Sequence, residues 1–388
     1  MDVRLEMFGT EDAGGWLGAL QRCGNHDFFH LPEFHRMAER RGQGEARLYV
    51  VQGGGRCMAL PLLLRPVEGR FIGESAALIG GGALSGDGRD GDEGLRDALS
   101  VSGYPGPVGF AGEDAGEKAG FVSASQRLLE SQFRADGVVA AFSLLNPLLE
   151  QQEWLKGMGE IRWVGETVAM DLALSEEEQW RRIRSTHRRQ ILRLIDRGVS
   201  CEEVDPGLGL DEFVKAYSET MERVGAQRAY RYETAFFEEL FTELGGAAHL
   251  WLARLGGEPI AGAIFVECTQ FVQYYLSGTR DAWVGLSPMK LILDTVRRWA
   301  SARGRRYLHL GGGVGRRDSL FDFKAGFSEL YLQMGCWRWV GDAGRYEQIC
   351  RRAVERWEAQ GLEPEREDFF PAYRSPLRER KVGEKVKI

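Results

Sequence analysis

Two segments of the chain carry the same hydrophobic pattern. Residues 46–66 and 248–264 each read as an apolar strand, a pair of glycines and a second apolar strand, which predicts one hairpin in each half. At a constant offset of 202, Leu48 falls on Leu250, Tyr49 on Trp251, Gly54 and Gly55 on Gly256 and Gly257, and Ala59 on Ala261. A recurring hairpin with helical segments on either side predicts a duplicated α/β unit. Elsewhere the spacing predicts helices over 26–41, about 118–135 and 176–197, and strands over 138–145 and 163–173. Ser175 and Glu178 form a capping box for the 176–197 helix, and Asn146-Pro147 ends the strand before them. A further helix is expected to start at Ser287, with Pro288 at its first position. Leu291, Ile292, Thr295, Val296 and Trp299 form its packing face, and Arg297, Arg298 and Arg303 lie on or near the other side.

Composition narrows the class. A chain of 388 residues exceeds one ordinary core, and 43% hydrophobic content fills about two. The net charge of -7 excludes a general nucleic-acid coat, so any RNA contact must be a local basic patch. Six cysteines without a CxxC read as reduced thiols, and six scattered histidines predict no metal site. With no signal-like segment and no run of 18 apolar residues, the expectation is a soluble, cytoplasmic protein without stable membrane insertion. The Gly- and Asp-rich stretch 80–94 is expected to be a mobile surface loop.

Candidate chemistry concentrates in the second half. Arg181, Arg182, Arg184, Arg188, Arg189, Arg193 and Arg197 put seven arginines into 17 residues, beside His187, with Ile183, Ile191, Leu192 and Leu194 as the anchoring side. Such a run suits phosphate contact, and equally a solvated helix paired with carboxylates. Gly311 to Gly313 follow an apolar strand and let the backbone turn sharply and approach another group. Lys324 lies between Phe323 and Ala325-Gly326-Phe327, where an ammonium needs a local partner such as Asp322. There is no GxSxG, HExxH or Walker loop, and no GxGxxG after a strand, so hydrolase, zincin, ATPase and Rossmann readings lack support.

The order Tyr274-Tyr275-Leu276-Ser277-Gly278-Thr279, Ser287-Pro288, Tyr307 to Gly313 and Phe323-Lys324 resembles the second half of the Fem-type aminoacyltransferases of the GNAT superfamily. The resemblance implies an α/β fold of two tandem GNAT-like domains with mixed central sheets flanked by helices. They would span 1–160 and 161–345, followed by a C-terminal helix and tail over 346–388. It implies transfer of an amino acid from aminoacyl-tRNA to an amine-bearing acceptor, with no cofactor beyond that co-substrate. Lys324, Tyr275 and Asp322 would be catalytic; Thr220, Arg223, Tyr232 and Phe323 would hold the acceptor. Arg184, Arg188, Arg189, Gly312 and Gly313 would hold the donor's phosphates or tRNA. Lys324 would stabilise the oxyanion of transfer, while Asp318, Asp322 and Glu267 are candidate bases. Acyl-CoA is the alternative donor, but Arg280 to Pro288 lacks the glycine pattern that cradles its pyrophosphate. No heptad arm of the cell-wall enzymes is present, which leaves the acceptor open between a peptidoglycan precursor and another small molecule or peptide.

Overall fold

The computed structural model describes residues 2–67, 94–313 and 317–380. The loop expected over 80–94, but for its last residue, and the tail beyond 380 lie outside the described residues. Among the described residues, thirteen strands form one mixed sheet. Its order is β1 (Arg4–Phe8), β2 (Glu45–Gly53), β3 (Arg56–Pro66), β4 (Arg96–Leu99), β6 (Val138–Leu144), β13 (Leu330–Val340), β7 (Glu160–Asp171), β12 (Tyr307–Gly312), β11 (Phe271–Thr279), β10 (Glu258–Glu267), β9 (Ala248–Leu255) and β8 (Val199–Val204); β5 (Val108–Phe110) pairs β3 to the side.

The repeat holds at the level of register. Gly53 pairs Arg56 at one hairpin end and Leu255 pairs Glu258 at the other, again 202 residues apart. Gly54 and Gly55 have φ of 59° and 76°, and Gly256 and Gly257 have 60° and 86°, the double left-handed turn that suits a two-residue hairpin. Each unit then runs through an antiparallel pair into a parallel one, β3–β4–β6 in the first and β10–β11–β12 in the second. The last strands are exchanged. β7 follows β6 in sequence yet pairs β12, and β13 follows β12 yet pairs β6. β7 and β13 pair each other at the centre, so the expected two central sheets are one continuous sheet. The 160/161 division falls at the first residue of β7.

Packing also crosses the units. Phe28, Phe34 and Ala46 share one core with Phe236, Leu240 and Phe271. Above it, helix Pro32–Arg40 meets helix Thr234–Leu244 through Arg36–Glu243 at 3.0 Å and Arg40–Glu243 at 2.7 Å. Trp337 and Trp339 of β13 pack beneath helix Ala115–Ala135 in the first unit. The C-terminal helix Ala343–Ala359 buries Ile349, Ala353 and Trp357 against Val67, Leu95 and Val139, also in the first unit.

Four local expectations are corrected. The helix after β11 spans Met289–Ala302; Ser287 precedes it in the left-handed region at φ 51° and makes no cap. Arg297 is buried rather than solvent-facing, held by Asp294 and Gln179 at 2.8–3.0 Å. The basic segment 176–197 breaks into helices Glu176–Arg182 and Ser185–Asp196, because Ile183 and Arg184 are extended and the Arg184 N–H donates to the Gly326 carbonyl. Ile183, Ile191 and Leu194 are buried as expected, but Leu192 is 50% exposed.

Candidate active site

The parallel pairing of β11 and β12 stops at Gln273 opposite His309. Beyond that point β11 stays with β10 and β12 with β7, so the strands part into a wedge. A bulge between His309 and Gly311 against β7 turns β12 at its tip, and Gly311 takes φ 73°, a conformation glycine adopts without strain. Gly312 stays on the ladder opposite Thr167, where a Cβ would lie 2.7 Å from the Glu166 carbonyl oxygen. Gly313 is small for a different reason, since its Cβ would meet the Asp318 carboxylate at 2.3 Å.

Lys324 enters this wedge from helix Ser319–Ala325, which Asp318 caps through the Phe321 N–H at 2.8 Å. Its ammonium is buried, donates to the Gly312 carbonyl at 2.6 Å and lies 5.8 Å from the centre of the Tyr274 ring. Burial pushes the amine down to about 8, partly offset by Asp318. A methyl group on Gly311 would be 3.5 Å from Lys324 Nζ and 3.8 Å from the Tyr104 hydroxyl. Two donors, one from each unit, therefore face the space above a residue with no side chain. That arrangement fits a carbonyl oxygen or the oxyanion formed from it.

The wall behind is neutral and fixed. His309 is fully buried between Gln273 Oε1 at 2.7 Å and Thr167 Oγ1 at 2.9 Å, so Nδ1 donates and Nε2 accepts. Burial, with Lys324 nearby, pushes this imidazole down to about 3. Tyr104 packs edge-on against His309 and Phe29 at 5.8 Å, and burial pushes its phenol up to about 12, keeping it a donor. Tyr104 and His309 were not assigned from sequence. A histidine between two leucines on a strand was the available signal, because a buried imidazole requires partners.

The structure gathers only part of the expected site. Asp322 is two residues from Lys324 on a short helix, so it points away; it is exposed and faces Arg184 at 3.4 Å. Asp318 is the carboxylate on the lysine's side. Tyr275 points to the opposite face of β11 from Tyr274 and packs edge-on against Phe28 at 5.1 Å in the shared core. Thr220 Oγ1 accepts from the Thr279 N–H at 2.8 Å, and Arg223 holds Asp281 and the Thr279 carbonyl, so both secure the end of β11. Tyr232 stacks on Phe236 at 3.9 Å and lines a separate cavity of about 380 Å³ with Tyr217 and Arg231. Glu267 is held by Arg303 and Arg305 at 2.7–2.9 Å, and their hydrogen bonds push it down to about 2.

The basic helix does meet the lysine segment. His187 Nε2 lies 3.1 Å from the Phe323 carbonyl, and its ring packs against Phe323 and Phe327. A Cβ on Gly326 would lie 2.2 Å from His187 Nε2. Gly326→Ala is expected to cost about 1–3 kcal/mol through overpacking, read from the urea midpoint at unchanged slope. Of the seven arginines, Arg181 and Arg182 pair Glu178 and Arg184 pairs Asp322. Among the described residues, Arg188, Arg189, Arg193 and Arg197 form no ion pair, and Arg188 Nε is buried without a hydrogen-bond partner. Lys290 joins the cluster through Gln190 at 2.8 Å; burial and then Arg184 lower its amine.

Residues 181–324 match the family model of the acetyltransferase (GNAT) domain. No curated protein matches the chain. Among solved structures, FemX is similar at 14% identity, with 89% of this chain and 99% of that one covered and a TM-score of 0.64. The C-terminal domain (DUF2156) of a protein described as a lysylphosphatidylglycerol synthetase from Agrobacterium fabrum is similar at 14% identity, covering 89% and 95%, with a TM-score of 0.50. At these identities the likeness is one of fold. The chain thus adopts the tandem GNAT-like α/β architecture, with a GNAT acetyltransferase-type domain over residues 181–324.

Proposed function

We propose that this GNAT-type acyltransferase moves an aminoacyl group from aminoacyl-tRNA to an amine. The observation that carries the reading is the pairing of a buried ammonium with an unneutralised arginine face on one rigid junction. Lys324 stands at the strand wedge, and helix Ser185–Asp196 is bolted to the same segment by His187 and Arg184; it carries three arginines, with Arg197 just past its end, that have no carboxylate partner among the described residues. An aminoacyl ester is already activated, so the site has only to place it and hold the charge that develops on its carbonyl oxygen. Lys324 Nζ and the Tyr104 hydroxyl do the second, and the arginines take the phosphates that lead to the ester. FemX and the lysylphosphatidylglycerol synthetase domain share this fold, which agrees with an aminoacyl donor.

An acyl-CoA donor is the second reading, favoured by the family model over residues 181–324. The loop before helix Met289–Ala302 speaks against it. Pro288 has no N–H, and the N–H groups of Ser287, Lys290 and Leu291 are spent on the carbonyls of Val284, Ser287 and Pro288. The Asp281 N–H is already taken by Glu219 at 2.7 Å. Few amides remain to cradle a pyrophosphate. Titration of the purified protein with bulk aminoacyl-tRNA and separately with acetyl-CoA separates the two. Charged tRNA is expected to bind with steep salt dependence. In the Arg188→Ala/Arg189→Ala variant the slope of log K against log salt is expected to fall by about one to two units. Saturable CoA binding without tRNA binding overturns the proposal.

A further inference from the structure

Cys23 and Cys57 are remote from the wedge and unused by the chemistry above. Cys23 ends helix Ala13–Cys23, and Cys57 lies near the start of β3, 34 residues later. Both are buried, 3% exposed, and their sulfurs are 2.8 Å apart. The other cysteines, Cys201, Cys268, Cys336 and Cys350, lie on β8, after β10, on β13 and in the C-terminal helix. The two sulfurs share one hydrogen bond, and Cys57 is held below its ordinary pKa chiefly by that bond, against burial and with help from exposed Arg22. The same bond, with burial, pushes Cys23 up.

We propose that Cys23 and Cys57 are a redox site at which a peroxide closes a disulfide between the first helix and β3. The Cys57 thiolate attacks one peroxide oxygen, the O–O bond breaks, and the departing hydroxide takes a proton and leaves as water. Cys23 sulfur then attacks the resulting sulfenic acid; its proton goes to the leaving hydroxyl, which departs as a second water. The two thiols lose two electrons and the peroxide gains them. With both sulfurs buried, the oxidant must be small, and it meets them when the end of the first helix opens locally. The bond fixes the root of the 24–31 loop, where Asp27 bonds His30 and Asn146 and where Phe28 and Phe29 pack against Tyr275 and Tyr104. Oxidation therefore stiffens the first unit's wall of the wedge.

The test is peptide mapping of the reduced, full-length protein after a near-stoichiometric dose of hydrogen peroxide, without reductant in the digest. The expected product is a Cys23–Cys57 linked peptide two hydrogens lighter than the pair. Of six thiols, four would remain (six less two), melting would rise by about 5 °C, and dithiothreitol would reverse both changes. Cys57→Ser, checked for an unchanged melting curve under reductant, should lose the peroxide-induced rise. Sulfinic acid at Cys57 without the link overturns the proposal. So do two intact thiols at Cys23 and Cys57 while Cys201 oxidises. Both readouts use the unaltered protein, so the result stands even where a variant fails to fold.

Discussion

Lys324→Met is expected to make the protein more stable and at the same time nearly inactive. The amine is 7% exposed and titrates at about 8 instead of 10.5, so keeping it charged in the fold costs about 3 kcal/mol at pH 7. Methionine fills similar volume without the charge and gives back about 2 kcal/mol after the lost bond to Gly312 is counted. The sign follows from proton binding. Between pH 8 and 10.5 the unfolded chain holds a proton that the fold has released, so wild-type stability from this group rises with pH across that window. The advantage of the methionine variant is therefore largest at and below pH 7 and disappears near pH 10.5. Urea unfolding of both proteins at pH 7 and pH 10 measures it; equal differences at both values would show that the amine is not the origin.

Activity moves the other way. Removing a preorganised positive donor from a site that stabilises an oxyanion lowers kcat by about 10²–10³-fold, with less change in donor affinity. Wild-type kcat should fall as pH rises through about 8, where Lys324 loses its charge. Lys324→Arg should not rescue, because the wedge between Tyr274, Gly311 and Gly312 admits an ammonium and not a guanidinium plane. A gain in stability coupled to a loss of turnover marks a residue kept for its chemistry.

Much of the scaffold was legible because it rests on local rules. Paired glycines at 54–55 and 256–257 demand the same turn wherever they stand, and the offset of 202 carried over to the hydrogen-bonded register. What failed depends on remote partners. β7 and β13 show the same alternation whichever strand they join, so their exchange leaves no trace in sequence. Ser287-Pro288 reads as a helix start, but the turn of 3-10 helix before it forces Ser287 into the left-handed region. Arg297 looks like a surface residue until Gln179, 118 positions away, arrives beside it. At the site, Lys324 announced itself by its apolar neighbours. Its company did not: Tyr104 comes from a turn in the other unit, and the strand period that brings Tyr274 to the lysine turns Tyr275 away.

Asp97→Asn is expected to destabilise the protein by about 3–5 kcal/mol, a large fraction of any domain's stability. Asp97 is fully buried on β4 between two buried guanidiniums, Arg65 at 2.7 Å and Arg374 at 2.8 Å. Burial alone would raise this carboxyl, but the two arginines outweigh it and hold it below its ordinary value of 3.8. The stabilisation is thus complete at neutral pH and is lost as pH falls below 3.8 through the folded value. Asparagine keeps the shape and removes the charge, leaving two cations facing each other in the interior. Because Arg374 also donates to the Pro66 carbonyl, the triad is the bolt that fixes the C-terminal segment to the first unit. Limited proteolysis of the variant should open sites after Ala359, before the rest of the chain is cut. Replacing all three together, as Asp97→Leu, Arg65→Met and Arg374→Met, should restore most of the loss, since an apolar trio of similar volume carries no desolvation penalty. If Asp97→Asn unfolds at the wild-type urea midpoint, the buried charge is not what holds the segment, and the Trp357–Tyr373 contacts with Val67 and Leu95 must be.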